Sequence, residues 1–286
     1  MLQTSTLQLL RFPFSFFLMP VFWFALSIQD NIDIFKAILL FIILHVFVYP
    51  SSNGYNSYMD RDTGSIGGIE NPPEPLKELF KVSIVMDISA FLLSFLISPL
   101  TALLLTVYIV FSRLYSYRGV RLKQYPISGY LTVVLNQGSL VFAMVYLGVG
   151  DGASILSYHP LIAAAFLIGG FYPITQIYQH DADKADGVNS ISLMLGKRGT
   201  FIFCAFVYVL AFAFLIIYFQ QLDKLYLFYV LQLFFIPVVV YFFIWAIQVW
   251  KDASKADFKH TMRMNWVASI CSNAGFISLL ILQQRG

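Results

Sequence analysis

Five of the fifteen acidic residues of this chain fall in two short segments. The first reads Asn53-Gly54-Tyr55-Asn56-Ser57-Tyr58-Met59-Asp60-Arg61-Asp62-Thr63-Gly64. Asn53, Asn56 and Asp60 are three and four residues apart, so on a helix they share one face. A carboxylate and two carboxamides on one face can hold a hard cation through oxygen. Asp62 lies off that face unless the helix has already broken before it. The competing reading is a polar helix end followed by a capped, glycine-rich turn at Ser65-Ile66-Gly67-Gly68.

The second segment reads Gln179-His180-Asp181-Ala182-Asp183-Lys184-Ala185-Asp186-Gly187. Three aspartates so close repel one another, and a bound cation or Lys184 would relieve that. A solvated loop closing a helix at Gly187 is the plainer alternative, but two such clusters in one chain weaken it. Between them lies Tyr115-Ser116-Tyr117-Arg118-Gly119-Val120-Arg121-Leu122-Lys123. Its basic residues suit phosphate, with Arg binding in bidentate fashion. They would equally serve as topology determinants alone.

Lipid must surround the elements that carry these segments. Hydrophobic residues make up 59% of the 286, charged residues only 12%, and mean hydropathy is +0.75. A soluble domain carries about 25% charged residues. A membrane-spanning helix takes roughly 20 apolar residues, and nine runs meet or approach this: roughly 8–28, 34–52, 82–98, 99–113, 127–149, 160–178, 200–220, 225–249 and 264–283. The third and fourth meet at Ser98-Pro99 and predict a tight hairpin. The runs are continuous rather than alternating, which argues against a β-barrel. The expected fold is therefore an all-α polytopic bundle of about nine transmembrane helices, one membrane domain over residues 1–286.

Loops 2–3, 4–5, 6–7 and 8–9 hold most of the Lys and Arg, whereas the other side holds only Lys36, Lys224 and Arg285. The positive-inside rule puts the richer side, and both acidic segments, in the cytoplasm. The expected location is the inner or cytoplasmic membrane. The net charge of +3 follows from this topology and implies no nucleic-acid partner, and no protein partner is implied either. Cys204 and Cys271 fall within apolar runs, so no disulfide framework is implied. The first run lacks a short apolar stretch with a cleavage site and is expected to be kept.

Carboxylates twice and a basic run once, at one membrane face, suit a diphosphate held by Mg²⁺, which takes one or two carboxylates plus substrate phosphates. The lipid surroundings suit a long apolar tail. A diphosphate with such a tail is an isoprenyl diphosphate.

The same residues resemble the UbiA-type superfamily of intramembrane prenyltransferases, whose fold is a nine-helix bundle. Asn56 and Asp60 match its first NxxxD motif. The further acid of that motif usually lies four residues after Asp60, where Gly64 stands here, and Asp62 is the nearest candidate. Gly187-Val188-Asn189-Ser190-Ile191-Ser192-Leu193-Met194-Leu195-Gly196 matches the stretch after the second motif. In that register Asp183 is the second acid, Lys184 the basic follower, and Gln179 replaces the first acid. Tyr115, Arg121 and Lys123 resemble the segment between helices 4 and 5. The resemblance implies Asp60, Asp62 and Asp183, with help from Asp181, as ligands of one or two Mg²⁺ ions. It implies Arg61, Arg121, Lys123 and Lys184 as neutralisers of phosphate, and Asn53, Asn56, Tyr115 and Gln179 as further substrate-binding residues. Asp60, Asp183 and Lys123 would carry the catalysis. The implied acceptor is lipophilic: a quinone precursor, another phenol, a tetrapyrrole or a glycerol phosphate lipid.

Polar groups at membrane depth are functional candidates by default, here His45, Asp87, Asn136 and Gln137. Interhelical hydrogen bonds are their plainer role, and Asp87 is expected to pair with a basic residue from a neighbouring helix. A secondary transporter built on these four is the main rival function, although transporters tend to place such groups near the midplane. A metal-dependent lipid phosphotransferase is the second rival and a non-catalytic scaffold the third.

Overall fold

The computed structural model describes residues 2–150 and 156–284, so Arg285 of the charge argument lies outside the described residues. Nine long helices follow in order among them: α1 Thr4–Ser27, α2 Ile34–Asp60, α3 Lys77–Ser94, α4 Pro99–Ser116, α5 Pro126–Val149, α6 Tyr158–Gln176, α7 Ile191–Gln221, α8 Leu225–Lys251 and α9 Phe258–Gln283. No named strand occurs among the described residues. The chain is an integral, multi-pass membrane protein.

Eight of these helices are long and apolar enough to span a bilayer. The ninth, α3, carries Lys77, Glu78, Lys81 and Asp87. Asp87 stays inside the bundle because Arg113 on α4 donates to it from Nε at 2.9 Å and Ser51 on α2 from its hydroxyl at 2.5 Å. Arg113 also lies over the Tyr55 ring, 4.3 Å from its centroid. This triad ties α2, α3 and α4 together. The expected hairpin is present: Ser98 caps α4 by accepting from the Thr101 amide at 3.0 Å.

Helix α8 is apolar on both sides, as a lipid-facing helix must be. Phe235, Phe242 and Trp245 are buried, while Leu233, Ile236, Val240, Phe243 and Ile247 are exposed. The core runs through the whole bundle, with Phe24 stacked on Phe276 at 4.7 Å between α1 and α9.

Five helices depart from α geometry, α7 through a kink at Gly196, whose backbone is at φ 69°. Segments Phe12–Leu18 of α1 and Tyr172–Gln176 of α6 tighten to 3₁₀ turns at Pro13 and Pro173, each of which lacks an amide hydrogen. Ile43–Val48 of α2 and Val134–Leu140 of α5 widen to π turns. Irregular backbone at membrane depth persists only where protein surrounds it or a cavity is lined.

Candidate active site

One cavity of about 260 Å³ opens where the ends of α2, α4 and α6 meet, and the irregular segments of α1, α5 and α6 supply much of its wall. Phe14, Phe17 and Leu18 come from α1, Asn136 and Gln137 from α5, and Tyr172, Thr175 and Gln176 from α6.

Helix α2 runs on to Asp60, eight residues beyond the apolar run that announced it. Asn53, Asn56 and Asp60 therefore share one helical face and all three line the cavity. Arg61 then breaks the helix in the left-handed region, at φ 54°. That break brings Asp62 back to the same cavity. From the opposite rim come Gln179 and Asp183, the latter accepting a hydrogen bond from Ser190 at 2.8 Å. Tyr115 and Lys123 complete the expected residues that reach the cavity.

Four expected residues do not border the cavity. Arg61, Asp181 and Lys184 are exposed and none borders the cavity. The short helix His180–Ala185 turns Asp183 inward, and its neighbours two before and one after point away at about 100° per residue. Arg121 is buried behind the wall, 3.5 Å from the Asp60 Oδ1 and paired with Asp186. Its backbone, too, is left-handed, at φ 48°.

The basic segment fastens the two acidic ones together. Arg118 donates to the carbonyls of Met59 at 2.7 Å and Asp60 at 3.0 Å, and pairs with Asp186 at 3.3 Å. Arg121 adds a bond to the Asp186 carbonyl at 3.0 Å. Asp186 was not singled out in the sequence, where it reads as one more loop acid. Burial pushes its carboxyl up, but the Arg121 and Arg118 guanidiniums outweigh that and hold it below the ordinary range.

Arg11 also escaped the sequence reading because it sits near the start of an apolar run. It lines the cavity, is buried, and adopts a left-handed backbone at φ 49°. Its guanidinium donates to the Gly67 carbonyl at 3.2 Å and the Asn53 carbonyl at 3.1 Å, and its Nε has no partner. No ion pair is formed by Arg11 among the described residues.

The electrostatics mark the site as a place for cations. Burial pushes the Asp183 carboxyl up to about 6, and burial followed by the charge of Asp60 raises that of Asp62. The Asp60 Oδ1 is buried and accepts no hydrogen bond, although Arg121 pairs with it at 3.5 Å and its other oxygen is paired with Lys123. No group of three His, Cys, Asp or Glu side chains among the described residues is close enough to hold a metal alone. The two acidic rims face each other across the cavity instead. That donor set fits a hard divalent cation whose remaining ligands are phosphate oxygens.

A family model described as the UbiA prenyltransferase family matches residues 17–268. The chain belongs to the UbiA prenyltransferase family. No curated protein matches it by sequence. Among solved structures, a UbiA homolog from Archaeoglobus fulgidus bound to DMAPP and Mg²⁺ is 17% identical, with TM-score 0.73 over 97% of this chain and 99% of that one. A UbiA homolog from Aeropyrum pernix K1 is 19% identical, with TM-score 0.69 over 94% and 98%. A structure of digeranylgeranylglyceryl phosphate synthase is 18% identical, with TM-score 0.64 over 99% and 98%. These likenesses extend the UbiA fold over nearly the whole chain.

In this fold all four membrane-depth polar residues have partners of their own, Gln137 through a side-chain hydrogen bond with Tyr108. Asp87 belongs to the α2–α3–α4 triad, and Asn136 donates to the Tyr108 carbonyl at 3.0 Å across helices. His45 stacks on Phe41 at 4.1 Å, with Nδ1 bonded to the Phe41 carbonyl at 3.0 Å. Asn136 and Gln137 border the cavity; Asp87 and His45 do not.

Proposed function

We propose that this protein transfers an isoprenyl group from a Mg²⁺-bound isoprenyl diphosphate to a lipophilic acceptor within the membrane. The observation that carries this reading is that Asp60, Asp62 and Asp183 border one cavity whose opposite part is aromatic and aliphatic, with Leu18, Val133, Ile168 and Phe171. A solved relative bound to DMAPP and Mg²⁺ supports it, as does one bound to GPP and Mg²⁺.

In this reading Asn53, Asp60 and Asp62 hold one side of the metal–diphosphate group and Asp183 the other. Bound Mg²⁺ supplies a fixed positive charge where the leaving diphosphate gains negative charge. Lys123 and Arg11 neutralise phosphate oxygens directly, and their contribution grows as the C–O bond breaks. The aromatic faces of Tyr108, Tyr115, Tyr172 and Phe171 shield the allylic cation, at about 0.5–2 kcal/mol per favourable face. The apolar wall keeps water from capturing that cation. The allylic carbon then bonds to the acceptor, and the acceptor's displaced proton leaves with the diphosphate. We place the cavity mouth on the cytoplasmic side, from the Lys and Arg of the loops that frame it.

The test is incubation of the protein in lipid with radiolabelled farnesyl and geranylgeranyl diphosphates and a total membrane lipid extract, with Mg²⁺ or with EDTA. Label should pass to lipid only with Mg²⁺, and Asp60→Ala should abolish it. Absence of both binding and transfer in Mg²⁺ would remove this reading.

A further inference from the structure

Part of the cavity lining is polar but uncharged. Ser112 of α4 donates to the Ser52 hydroxyl of α2 at 2.9 Å, and the Tyr108 hydroxyl is hydrogen-bonded to both Ser52 and Gln137 of α5. The four side chains form one chain, and all four line the cavity. Gln137 reaches it through the π turn Val134–Leu140, whose extra residue brings Asn136 and Gln137 to the cavity together. Ser52 and Ser112 stand one helical turn, about 6 Å, before Asn56 and Ser116, which are bonded to each other at 2.8 Å. The chain is therefore deeper in the membrane than the acidic rims.

We propose that this chain of side chains binds the head group of the acceptor, and that the head group is uncharged and carries hydroxyls. The proposal rests on the prenyl-transfer reading above and narrows its acceptor. An isoprenyl tail has no hydrogen-bonding atom, and in that reading the diphosphate is met by metal, Lys123 and Arg11 at the rims. Hydroxyls and an amide below the rims serve neither part of the donor. Such groups both donate and accept, as an alcohol or phenol does, and Gln137 alone offers two N–H groups and a carbonyl. A carboxylate or phosphate only accepts, and when buried it needs a paired cation. Arg11 and Lys123 are the only cationic residues lining the cavity among the described residues. Both are held at the rims, Arg11 by the Gly67 and Asn53 carbonyls and Lys123 by Asp60.

Helix packing alone does not account for this arrangement. The neighbouring Ser51 and Arg113 turn to Asp87, away from the cavity, and that triad already ties α2 to α4. Ser52 and Ser112, each one residue away, turn to the cavity instead. The two polar groups thus divide the work. The charged one lies within the protein and holds helices together, and the uncharged one borders open space where a ligand can reach it.

Binding of matched head groups to the protein in lipid nanodiscs, with Mg²⁺ and a non-transferring thiolo analogue of geranyl diphosphate, tests this. Hydroquinone is compared with gentisate, its ring carboxylate, and a monoalkylglycerol with the same lipid bearing a phosphate. In at least one pair the uncharged member is expected to bind about tenfold more tightly than the anion, or better, since a buried anion without a cation is costly. Which pair binds tells an aromatic head from an aliphatic one. Gln137→Met keeps the volume and removes the amide. It should weaken the uncharged ligand about fivefold, as the loss of one neutral hydrogen bond does, and leave the geranyl analogue unchanged. Ser112→Ala serves in its place if that variant loses its folded melting transition. Equal or tighter binding of the anionic member of either pair would overturn the proposal, as would binding of none of the four or an unchanged affinity in the variant. If the geranyl analogue itself fails to bind with Mg²⁺, the prenyl-transfer reading falls, which is a separate and recognisable result.

Discussion

The Lys123 ammonium is ion-paired with the Asp60 carboxylate inside the cavity, and both side chains are largely withdrawn from solvent. A cation of the chain itself thus sits on the carboxylate best placed to hold a metal. The two roles compete. Lys123→Ala should tighten Mg²⁺ binding to the ligand-free protein several-fold. It should also weaken geranyl diphosphate about tenfold, since a hydrogen bond to a charged group contributes roughly 1.5–3 kcal/mol. Titration calorimetry with each ligand separates the two effects, and a parallel loss of both would contradict this assignment.

Arg11 supplies a second, sharper test. A buried guanidinium without a carboxylate is costly, and a left-handed backbone adds about 1–2 kcal/mol. Such a residue is expected to find its counter-ion on a ligand. Arg11→Gln keeps a polar, hydrogen-bonding side chain at the position and removes the charge. Geranyl diphosphate should then bind at least tenfold more weakly, while Mg²⁺ alone binds no less tightly.

Geometry also separates acids that the sequence presents as equals. Asp62→Asn and Asp183→Asn should each lower transfer by about a hundredfold or more, on the scale of removing a transition-state contact. Asp181→Asn and Lys184→Ala should stay within about twofold, because both side chains are exposed and away from the cavity. Initial rates under saturating Mg²⁺ decide it.

His180 gives the loop after α6 a pH dependence. Its ring is bonded to the Ser192 hydroxyl at 2.8 Å, which in turn meets Thr200 at 3.0 Å. Burial lowers its pKa from 6.5 to about 4. Between those values the unfolded chain binds more protons than the folded one, so stability falls as pH drops from 6.5 towards 4. Asp183, raised by burial to about 6, takes up a proton over much of the same interval with the opposite sign. The His180 contribution is therefore read as a difference: the wild-type Tm should fall by a few degrees relative to that of His180→Gln as pH drops over that interval.

The Asp87–Arg113 pair predicts a stability effect without a binding one. Removing one partner leaves a buried charge, which typically costs about 3–5 kcal/mol. Asp87→Leu should therefore lower Tm more than the double change Asp87→Leu, Arg113→Met. Neither should alter Mg²⁺ affinity, because Asp87 does not border the cavity.

Much of this protein could be read before its structure. Lipid as the surrounding solvent follows from having 12% charged residues, and periodicity alone put Asn53, Asn56 and Asp60 on one helical face. Those properties are local: they depend on residue type and on spacing along one helix. The helix end at Asp60 was not legible, since the apolar run stops at residue 52 while backbone hydrogen bonding continues. Nor was the turn at Arg61 that returns Asp62 to the cavity, because φ at a non-glycine residue leaves no compositional trace. Arg11 was hidden in an apolar run, and Asp186 among three similar acids.

What only the tertiary structure decided is which of these groups meet. Asp60 and Asp183 are more than a hundred residues apart, and the cavity wall takes Phe17 from α1 and Phe171 from α6. Spacing along a chain carries no information about the distance between helices packed side by side. That distance is set by side-chain packing and by the 3₁₀ and π turns that open the bundle at the cavity.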